Sequence, residues 1–273
     1  MARSPVRAAS VTRMGPGGET QADDRVVVEE PLEIRVAGEP LAVTMRTPGH
    51  DRELTLGFLW AEGVITSLAD VATIAHCGRT GDEGRENTIE VTPAAGARLT
   101  LPEEGPARRG TLTSSACGVC GRRSIDDLLA RCRPVTSTLT ISRGTICRAV
   151  AHLRDAQPVF ARTGGCHGAA LVDASGAIVL AFEDVGRHNA VDKIVGARLL
   201  AGGLPCAELA LIVSGRTSFE IVQKAVAAGI ALVASVSAPS SLAIDVATRA
   251  GVTLVGFVRG DDLVVYSGAA VTG

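Results

Sequence analysis

Aromatic residues are scarce in this sequence: one Trp, one Tyr and five Phe make up 3% of its 273 residues. Apolar residues still account for 46%, so the core has to be built mainly from Val, Ala, Leu and Ile. A chain of this length can bury a substantial core. Together with 31 glycines, the composition is typical of an α/β protein with buried strands and short turns.

The sequence also lacks a strong net charge and any long apolar run. The formal charge of -2 gives no reason to expect nucleic acid or an anionic membrane as a partner. No stretch approaches the roughly 20 apolar residues that span a bilayer. Residues 1–24 contain arginines but no hydrophobic segment of a secretory signal, and the glycines and proline at 15–18 predict a disordered tail. We therefore expect a cytoplasmic protein.

Seven cysteines are too few for a disulfide scaffold in a chain this long, and their number is odd. Five of them stand among apolar or small neighbours and are expected to be small buried side chains: Cys77, Cys132, Cys147, Cys166 and Cys206. The remaining two, Cys117 and Cys120, form a C-x-x-C pair. Such pairs serve zinc binding, disulfide exchange or sulfur transport.

The surroundings of the C-x-x-C pair bear on these alternatives. A structural zinc site needs a second pair of Cys or His ligands, which the sequence lacks, and the H-x-E and P-C-x-x-C motifs of zinc deaminases are incomplete. A thioredoxin-like pair follows a strand, whereas this one follows a loop rich in Gly and Pro. Arg122, Arg123 and a nearby helix start would favour the nucleophilic thiolate.

The pattern along the chain predicts two folded parts. Residues 25–105 contain strand-like segments, a hairpin turn at 37–40 and an apolar helix in "DRELTLGFLWAEGVI", which indicates a small α+β domain. Residues 106–141 are predicted to be a linker with a short helix, because Ser124 and Asp127 match the S-x-x-D form of a capping box. Residues 142–273 alternate continuous apolar strands with amphipathic helices, which is typical of a layered, parallel α/β sheet.

Three loops of the C-terminal part share features of an anion site. Residues 214–218 combine a glycine turn, hydroxyls and an arginine before a helix, although ordinary helix capping explains Thr217 and Ser218 equally well. Residues 238–241 repeat this arrangement, and residues 259–262 form a turn after a third strand. Because carboxyl ends of parallel strands meet at one edge, we expect one crevice that takes a phosphate-bearing ligand. Carboxylates there could accept the N–H groups of guanine.

A second polar cluster surrounds the motif "EDVGRHNAVDK". Its density suggests either a functional site or a structural network of paired charges. The cluster comprises His167, Glu183, Asp184, Arg187, His188, Asn189, Asp192 and Lys193.

The motifs together resemble the FdhD family of formate dehydrogenase accessory sulfurtransferases. They are, in chain order, "SSACGVCG", "TGGCHGAAL", "EDVGRHNAVDKIVG", "SGRTSFEIVQKA", "APSSLAIDVA" and "GFVRGDDLVVYS". The resemblance runs from about residue 25 to the C-terminus. It implies a carrier that takes persulfide sulfur from a cysteine desulfurase to the bis(molybdopterin guanine dinucleotide) cofactor of formate dehydrogenase.

The resemblance also implies site residues, fold and assembly. Cys117 would carry the persulfide and Cys120 would assist it, while the larger domain would have a cytidine-deaminase-like fold without zinc and the protein would be a homodimer. Cys166 departs from the expected family pattern and would add a third thiol. The candidate cofactor-binding residues are Phe257, Val258, Arg259, Gly260, Asp261 and Asp262 from the family segment, with Ser214, Arg216, Thr217 and Ser218 from the first loop.

Two other functions remain open at this point. A cofactor-binding chaperone without sulfur chemistry would tolerate replacement of both cysteines of the C-x-x-C pair. A zinc-dependent deaminase would contain stoichiometric zinc.

Overall fold

The structure is a computed structural model that describes residues 4–77, 85–97, 99–100 and 134–273. The stretch from 101 to 133, which holds Cys117, Cys120, Cys132 and the helix predicted after Ser124, lies outside the described residues. The division of the chain into domains stays a prediction. Within the described residues, no helix is both long and apolar enough to cross a membrane.

Residues 6–27 form an antiparallel hairpin where the sequence predicts a disordered tail. Its strands are β1 (Val6–Gly15) and β2 (Gly18–Val27), and Gly15 pairs with Gly18 across a two-residue turn. The glycines that suggested disorder serve this turn, since Gly18 has a φ of 102°, which a residue with a Cβ rarely adopts. Most hairpin residues are exposed, so the strands leave only a weak hydrophobic pattern in the sequence.

The N-terminal part continues as a four-stranded sheet. Its strands are β3 (Glu30–Val36), β4 (Glu39–Arg46), β5 (Val71–His76) and β6 (Thr88–Pro93). They lie in the order β4-β3-β6-β5. The predicted hairpin is confirmed, with positive φ at Ala37 and Gly38, the geometry that suits a two-residue turn. Helix α1 (Asp51–Ala61) contributes the buried Leu54, Leu56 and Leu59 to the core of this part.

The C-terminal part contains a six-stranded sheet. Two short strands, β7 (Ile141–Ser142) and β14 (Val271–Thr272), pair separately in parallel. The strands of the large sheet are β8 (His167–Val172), β9 (Ile178–Asp184), β10 (Ala210–Val213), β11 (Leu232–Ser235), β12 (Thr253–Arg259) and β13 (Asp262–Ser267). They lie in the order β13-β12-β11-β10-β8-β9.

The α/β class is confirmed, but the expectation of a parallel sheet is wrong for half of these strands. Strands β10, β11 and β12 run parallel, whereas β8, β9 and β13 run antiparallel to their neighbours. Short connections explain part of the difference, because a parallel pair needs a crossover of a dozen or more residues. The turns from β8 to β9 and from β12 to β13 are too short for one.

Helices pack on both faces of the large sheet. They are α2 (Arg143–His152), α3 (Pro158–Thr163), α4 (Arg187–Leu200), α5 (Phe219–Ala227) and α6 (Ser241–Ala250). Successive residues of a strand point to opposite faces. Ala169 and Leu171 accordingly pack in a core with α4, α5 and α6, whereas Ala170 and Val172 pack in another with α2. The result is a three-layered arrangement.

Two glycines let α1 and α4 touch along their backbones. A Cβ added to Gly57 would lie 1.9 Å from the carbonyl oxygen of Asp192, and one added to Gly196 would lie 1.8 Å from that of Glu53. Since real Cβ contacts essentially never fall below 3.0 Å, alanine at either position would push the helices apart. This crossing joins the helix of the small sheet to a helix of the large one.

Candidate functional site

The three loops singled out in the sequence do meet at the carboxyl edge of the parallel strands. Thr217 N donates to the carbonyl oxygen of Ala238 (3.2 Å), and Ser240 N donates to that of Thr217 (3.0 Å). Phe257 N donates to the carbonyl oxygen of Ser237 (3.2 Å). The loops after β10 and β11 and the last residues of β12 are therefore one hydrogen-bonded unit at the edge that the strand order predicts.

A cavity of about 590 Å³ opens beside this unit. It lies between the loop edge of the sheet, the start of β8 and the segment from α2 to α3, and it has the size of a small-ligand site. Of the ten predicted cofactor-binding residues, four line it: Ser214, Val258, Arg259 and Gly260. The other six do not belong to its lining: Arg216, Thr217, Ser218, Phe257, Asp261 and Asp262.

The β12–β13 connection that supplies Arg259 and Gly260 has unusual backbone geometry. Phe257 has a φ of 51° and Gly260 one of 56°, and the strand pairing is irregular between Gly256 and Arg259. Positive φ is common for glycine but strained for a bulky aromatic residue. Phe257 is 39% exposed, with the Arg259 guanidinium 5.8 Å from the centre of its ring. The bulge thus places an aromatic ring and a cation together next to the cavity.

Two cysteines line the cavity, and both are buried. Cys147 and Cys166 are each 5% exposed, and Cys166 Sγ lies 3.9 Å from the Thr47 hydroxyl. Burial raises the pKa of both thiols, that of Cys166 to about 11. The thiol form is therefore stable at neutral pH, and neither cysteine has the character of a reactive nucleophile.

The expectation that the scattered cysteines are buried holds for Cys147, Cys166 and Cys206, whereas Cys77 is half-buried. Among the residues that the structure describes, no group of three or more His, Cys, Asp or Glu side chains could hold a metal ion.

His167 faces the same cavity from the first position of β8. Burial lowers the pKa of His167, and the positive charge of Arg187 lowers it further, so the neutral imidazole is favoured at physiological pH. A Cβ on Gly215 would lie 3.1 Å from the His167 Nδ1. The glycine of the first loop therefore lets the backbone approach this ring, which links the "TGGCHG" and "SGRTS" motifs in space.

Gln157 is a lining residue that the sequence reasoning missed. It is 4% exposed, and its Nε2 has no hydrogen-bond partner among the described residues. A buried amide donor without a partner is costly, so an acceptor on a bound ligand would stabilise it. The sequence offered no signal, because Gln157 stands inside a segment that reads as helix and directly precedes Pro158.

Most of the polar cluster around α4 forms a structural network. Lys193 Nζ lies 2.7 Å from Asp184 Oδ2 in a buried ion pair. Asp184 Oδ1 also accepts from Gly186 N (2.8 Å) and Asn189 Nδ2 (3.0 Å). This carboxylate thereby holds the corner where β9 turns into α4.

Two further acids of the cluster also have structural partners. The Glu183 carboxylate accepts the N–H groups of Val159 (2.8 Å) and Phe160 (2.7 Å), which stabilises the start of α3 beside the cavity. Asp192 and Lys224 form a buried pair at 2.6 Å between α4 and α5, and burial raises the pKa of Asp192 to about 6.

Comparisons with known proteins agree with one another. A family model described as the FdhD/NarQ family matches residues 27–271. The chain is 56% identical over 250 residues to the sulfur carrier protein FdhD of Anaeromyxobacter dehalogenans (strain 2CP-C), covering 89% of this chain and 87% of the relative. It is 47% identical over 262 residues to the sulfur carrier protein FdhD of Nocardia farcinica (strain IFM 10152), covering 95% and 92%.

The fold also has a counterpart among solved structures. A crystal structure presented as a candidate formate dehydrogenase accessory protein from Desulfotalea psychrophila has a TM-score of 0.75 and 24% identity. The likeness covers 97% of this chain and 98% of that one. At this identity it concerns the layered α/β fold.

Proposed function

The chain belongs to the FdhD/NarQ family, and from this premise we propose that it carries sulfur to the molybdenum cofactor of formate dehydrogenase. The observation that carries the proposal is the 56% identity, over most of both chains, with a relative named a sulfur carrier protein. The sulfur would come from the persulfide of a cysteine desulfurase, and the carrier would make the dehydrogenase active.

The sulfur would travel on Cys117. Its thiolate attacks the outer sulfur of the desulfurase persulfide, which forms Cys117–S–SH and returns the desulfurase cysteine as a thiol. Cys120 then attacks the inner sulfur of Cys117, so that a Cys117–Cys120 disulfide forms and hydrosulfide is released toward molybdenum. Two electrons from the dithiol reduce the persulfide sulfur, which balances the step. Arg122 and Arg123 support it, since nearby cations favour thiolate.

The cofactor is the substrate of this reaction, and the cavity is our candidate for one of its guanine nucleotide ends. The Arg259 guanidinium and the Ser214 hydroxyl are donors suited to phosphate, and the unpartnered Gln157 Nε2 can donate to a phosphate or carbonyl oxygen. The exposed Asp261 and Asp262 at the following turn can accept guanine N–H groups. These residues fit an anionic guanine nucleotide.

Intact-protein mass spectrometry after incubation with a cysteine desulfurase and cysteine tests the sulfur step. We expect a mass gain of about 32 Da, one sulfur atom of a persulfide, mapped by peptide analysis to Cys117. The Cys117→Ala variant should lose this gain and fail to activate formate dehydrogenase. Cys166→Ala is the matched control, since the buried, high-pKa thiol of Cys166 should not carry the sulfur.

The activation assay separates the sulfur carrier from a cofactor-binding chaperone. If Cys117→Ala protein activated the dehydrogenase fully, the sulfur step would be wrong and cofactor binding alone would remain. Equilibrium dialysis with guanosine diphosphate tests the cavity independently, because Gln157→Leu should weaken nucleotide binding.

A further inference from the structure

A serine and a glutamate at the start of α5 stand in line with a histidine from the first turn of α4. The Ser218 hydroxyl lies 2.8 Å from His188 Nε2, and His188 Nδ1 lies 2.7 Å from Glu220 Oε2. His188 is 5% exposed, whereas Ser218 is half-buried and so partly accessible. This order of atoms, hydroxyl to Nε2 and Nδ1 to carboxylate, is that of a nucleophile, a general base and an orienting acid.

The next strand–helix unit contains a serine at the matching position, Ser240, whose hydroxyl has a different role from that of Ser218. Ser240 precedes α6 as Ser218 precedes α5, and its hydroxyl caps its own helix by accepting the N–H of Ala243 at 3.3 Å. Ser218 makes no such cap, and its hydroxyl is engaged by His188 instead. An N-cap serine normally stabilises its helix, so Ser218 has exchanged that role for the histidine.

Hydrogen-bond donors and a cation near Ser218 could stabilise negative charge that develops on a substrate there. Ile221 N donates to the Ser218 carbonyl oxygen (3.1 Å), so the N–H groups of Phe219 and Glu220 come before this bond, in the electropositive first turn. The exposed Arg216 stands two residues before the serine. The buried Thr217 hydroxyl between them has no hydrogen-bond partner among the described residues.

We propose that Ser218, His188 and Glu220 form a nucleophilic triad that gives this protein a second, hydrolytic activity on small acyl esters or thioesters. Glu220 holds the tautomer of His188 that carries its proton on Nδ1. Nε2 then takes the Ser218 proton as Oγ bonds to the acyl carbon. The bond to the leaving group breaks, and the leaving oxygen or sulfur takes the proton from Nε2. Water, deprotonated by the same nitrogen, releases the acyl group as a carboxylic acid.

The cations around the serine define the substrate further. Arg187 and Arg216 both lie close enough to His167 for their positive charges to lower its pKa. Arg187 directly precedes His188 and Arg216 lies two residues before Ser218, so two guanidinium groups stand near the triad. An acyl group with its own carboxylate is therefore favoured over a neutral one.

A fluorophosphonate probe tests the triad, since it bonds covalently to activated serines and not to serines that merely cap helices. We expect one phosphonate adduct, mapped by peptide mass spectrometry to Ser218, and slow turnover of p-nitrophenyl acetate. Ser218→Ala should abolish both, and Glu220→Gln should slow labelling. Loss of the general base costs roughly 10²–10⁴-fold, so His188→Gln should slow labelling at least about 100-fold.

Ser240 is the internal control, because it occupies the matching loop and caps its own helix. Absence of an adduct at Ser218, or equal labelling of Ser218 and Ser240 in the folded protein, would overturn the proposal. Circular dichroism of Ser218→Ala, which removes one oxygen atom, checks that its fold is kept. The phosphonate adduct is read separately from the sulfur adduct at Cys117, so failure of the sulfur proposal and failure of the triad give different results.

Discussion

Replacing Lys193 by methionine should destabilise the fold strongly. Lys193 is 1% exposed and Asp184 is 0% exposed. The Lys193 Nζ lies 2.7 Å from the Asp184 carboxylate and donates to the carbonyl oxygens of Thr47 (3.2 Å) and Glu183 (3.1 Å). Methionine fills similar space but leaves a buried carboxylate without its counter-charge and two carbonyls without that donor.

The size of the effect follows from this burial. Removing one partner of a buried ion pair costs about 3–5 kcal/mol. At roughly 2–4 °C per kcal/mol for a large domain, the melting temperature should fall by roughly 6–20 °C. Urea unfolding followed by far-UV circular dichroism measures the change in the free energy of unfolding.

Two control variants make the result interpretable. The double variant Asp184→Asn with Lys193→Met removes both charges and should be more stable than Lys193→Met alone, because no uncompensated charge stays buried. Arg13→Met breaks an exposed pair, in which Arg13 and Asp24 are 64% and 51% exposed at 3.6 Å, and should change stability little. Equal unfolding midpoints for Lys193→Met and Arg13→Met would refute the reasoning.

Three further predictions follow from the packing and the cavity. Gly57→Ala should destabilise by about 1–3 kcal/mol or more in thermal unfolding, whereas Gly144→Ala, whose Cβ would meet the Arg148 side chain at 3.4 Å, should be nearly neutral; equal melting temperatures would contradict this. Because the pKa of Cys166 is about 11, this thiol should react with iodoacetamide far more slowly than free cysteine at neutral pH. Its alkylation rate, followed by mass spectrometry, should rise about tenfold for each pH unit between pH 7 and 9, and a rate independent of pH would argue against this pKa. Glu183→Gln should lower the free energy of unfolding by about 1 kcal/mol through weaker capping of α3, and an unchanged urea midpoint would speak against that role.

The order and type of the C-terminal elements could be predicted because their apolar runs are long and continuous. Strand direction could not, since a strand buried on both faces has the same continuous pattern whether its neighbour is parallel or antiparallel. Connection length was the usable signal, because the few residues between Val172 and Ile178 leave no room for a crossover. The hairpin at 6–27 escaped prediction because its exposed strands carry little hydrophobic periodicity.

The site was predictable at the level of loops and not at the level of side chains. Parallel strands bring their following loops together whatever the side chains are, which is why the loops at 214–218, 238–241 and 259–262 were expected at one edge of the sheet. Which side chains line the cavity depends instead on a segment distant in sequence, the stretch from α2 to α3 that contains Cys147 and Gln157. No local pattern marks such residues, because the cavity exists only once that stretch has packed on the sheet.

The motif "EDVGRHNAVDK" shows why sequence density alone could not separate structure from chemistry. Asp184 and Lys193 form a buried ion pair, whereas His188, from the first turn of α4, reaches Ser218 across to α5. Positions one or five apart on a helix face different neighbours, so adjacent polar residues of one motif can serve separate purposes. Variants of Lys193 should therefore lower stability, and Ser218→Ala should remove probe labelling with the fold intact. These two results would separate the structural role of Lys193 from the proposed chemical role of His188, two residues of the same motif.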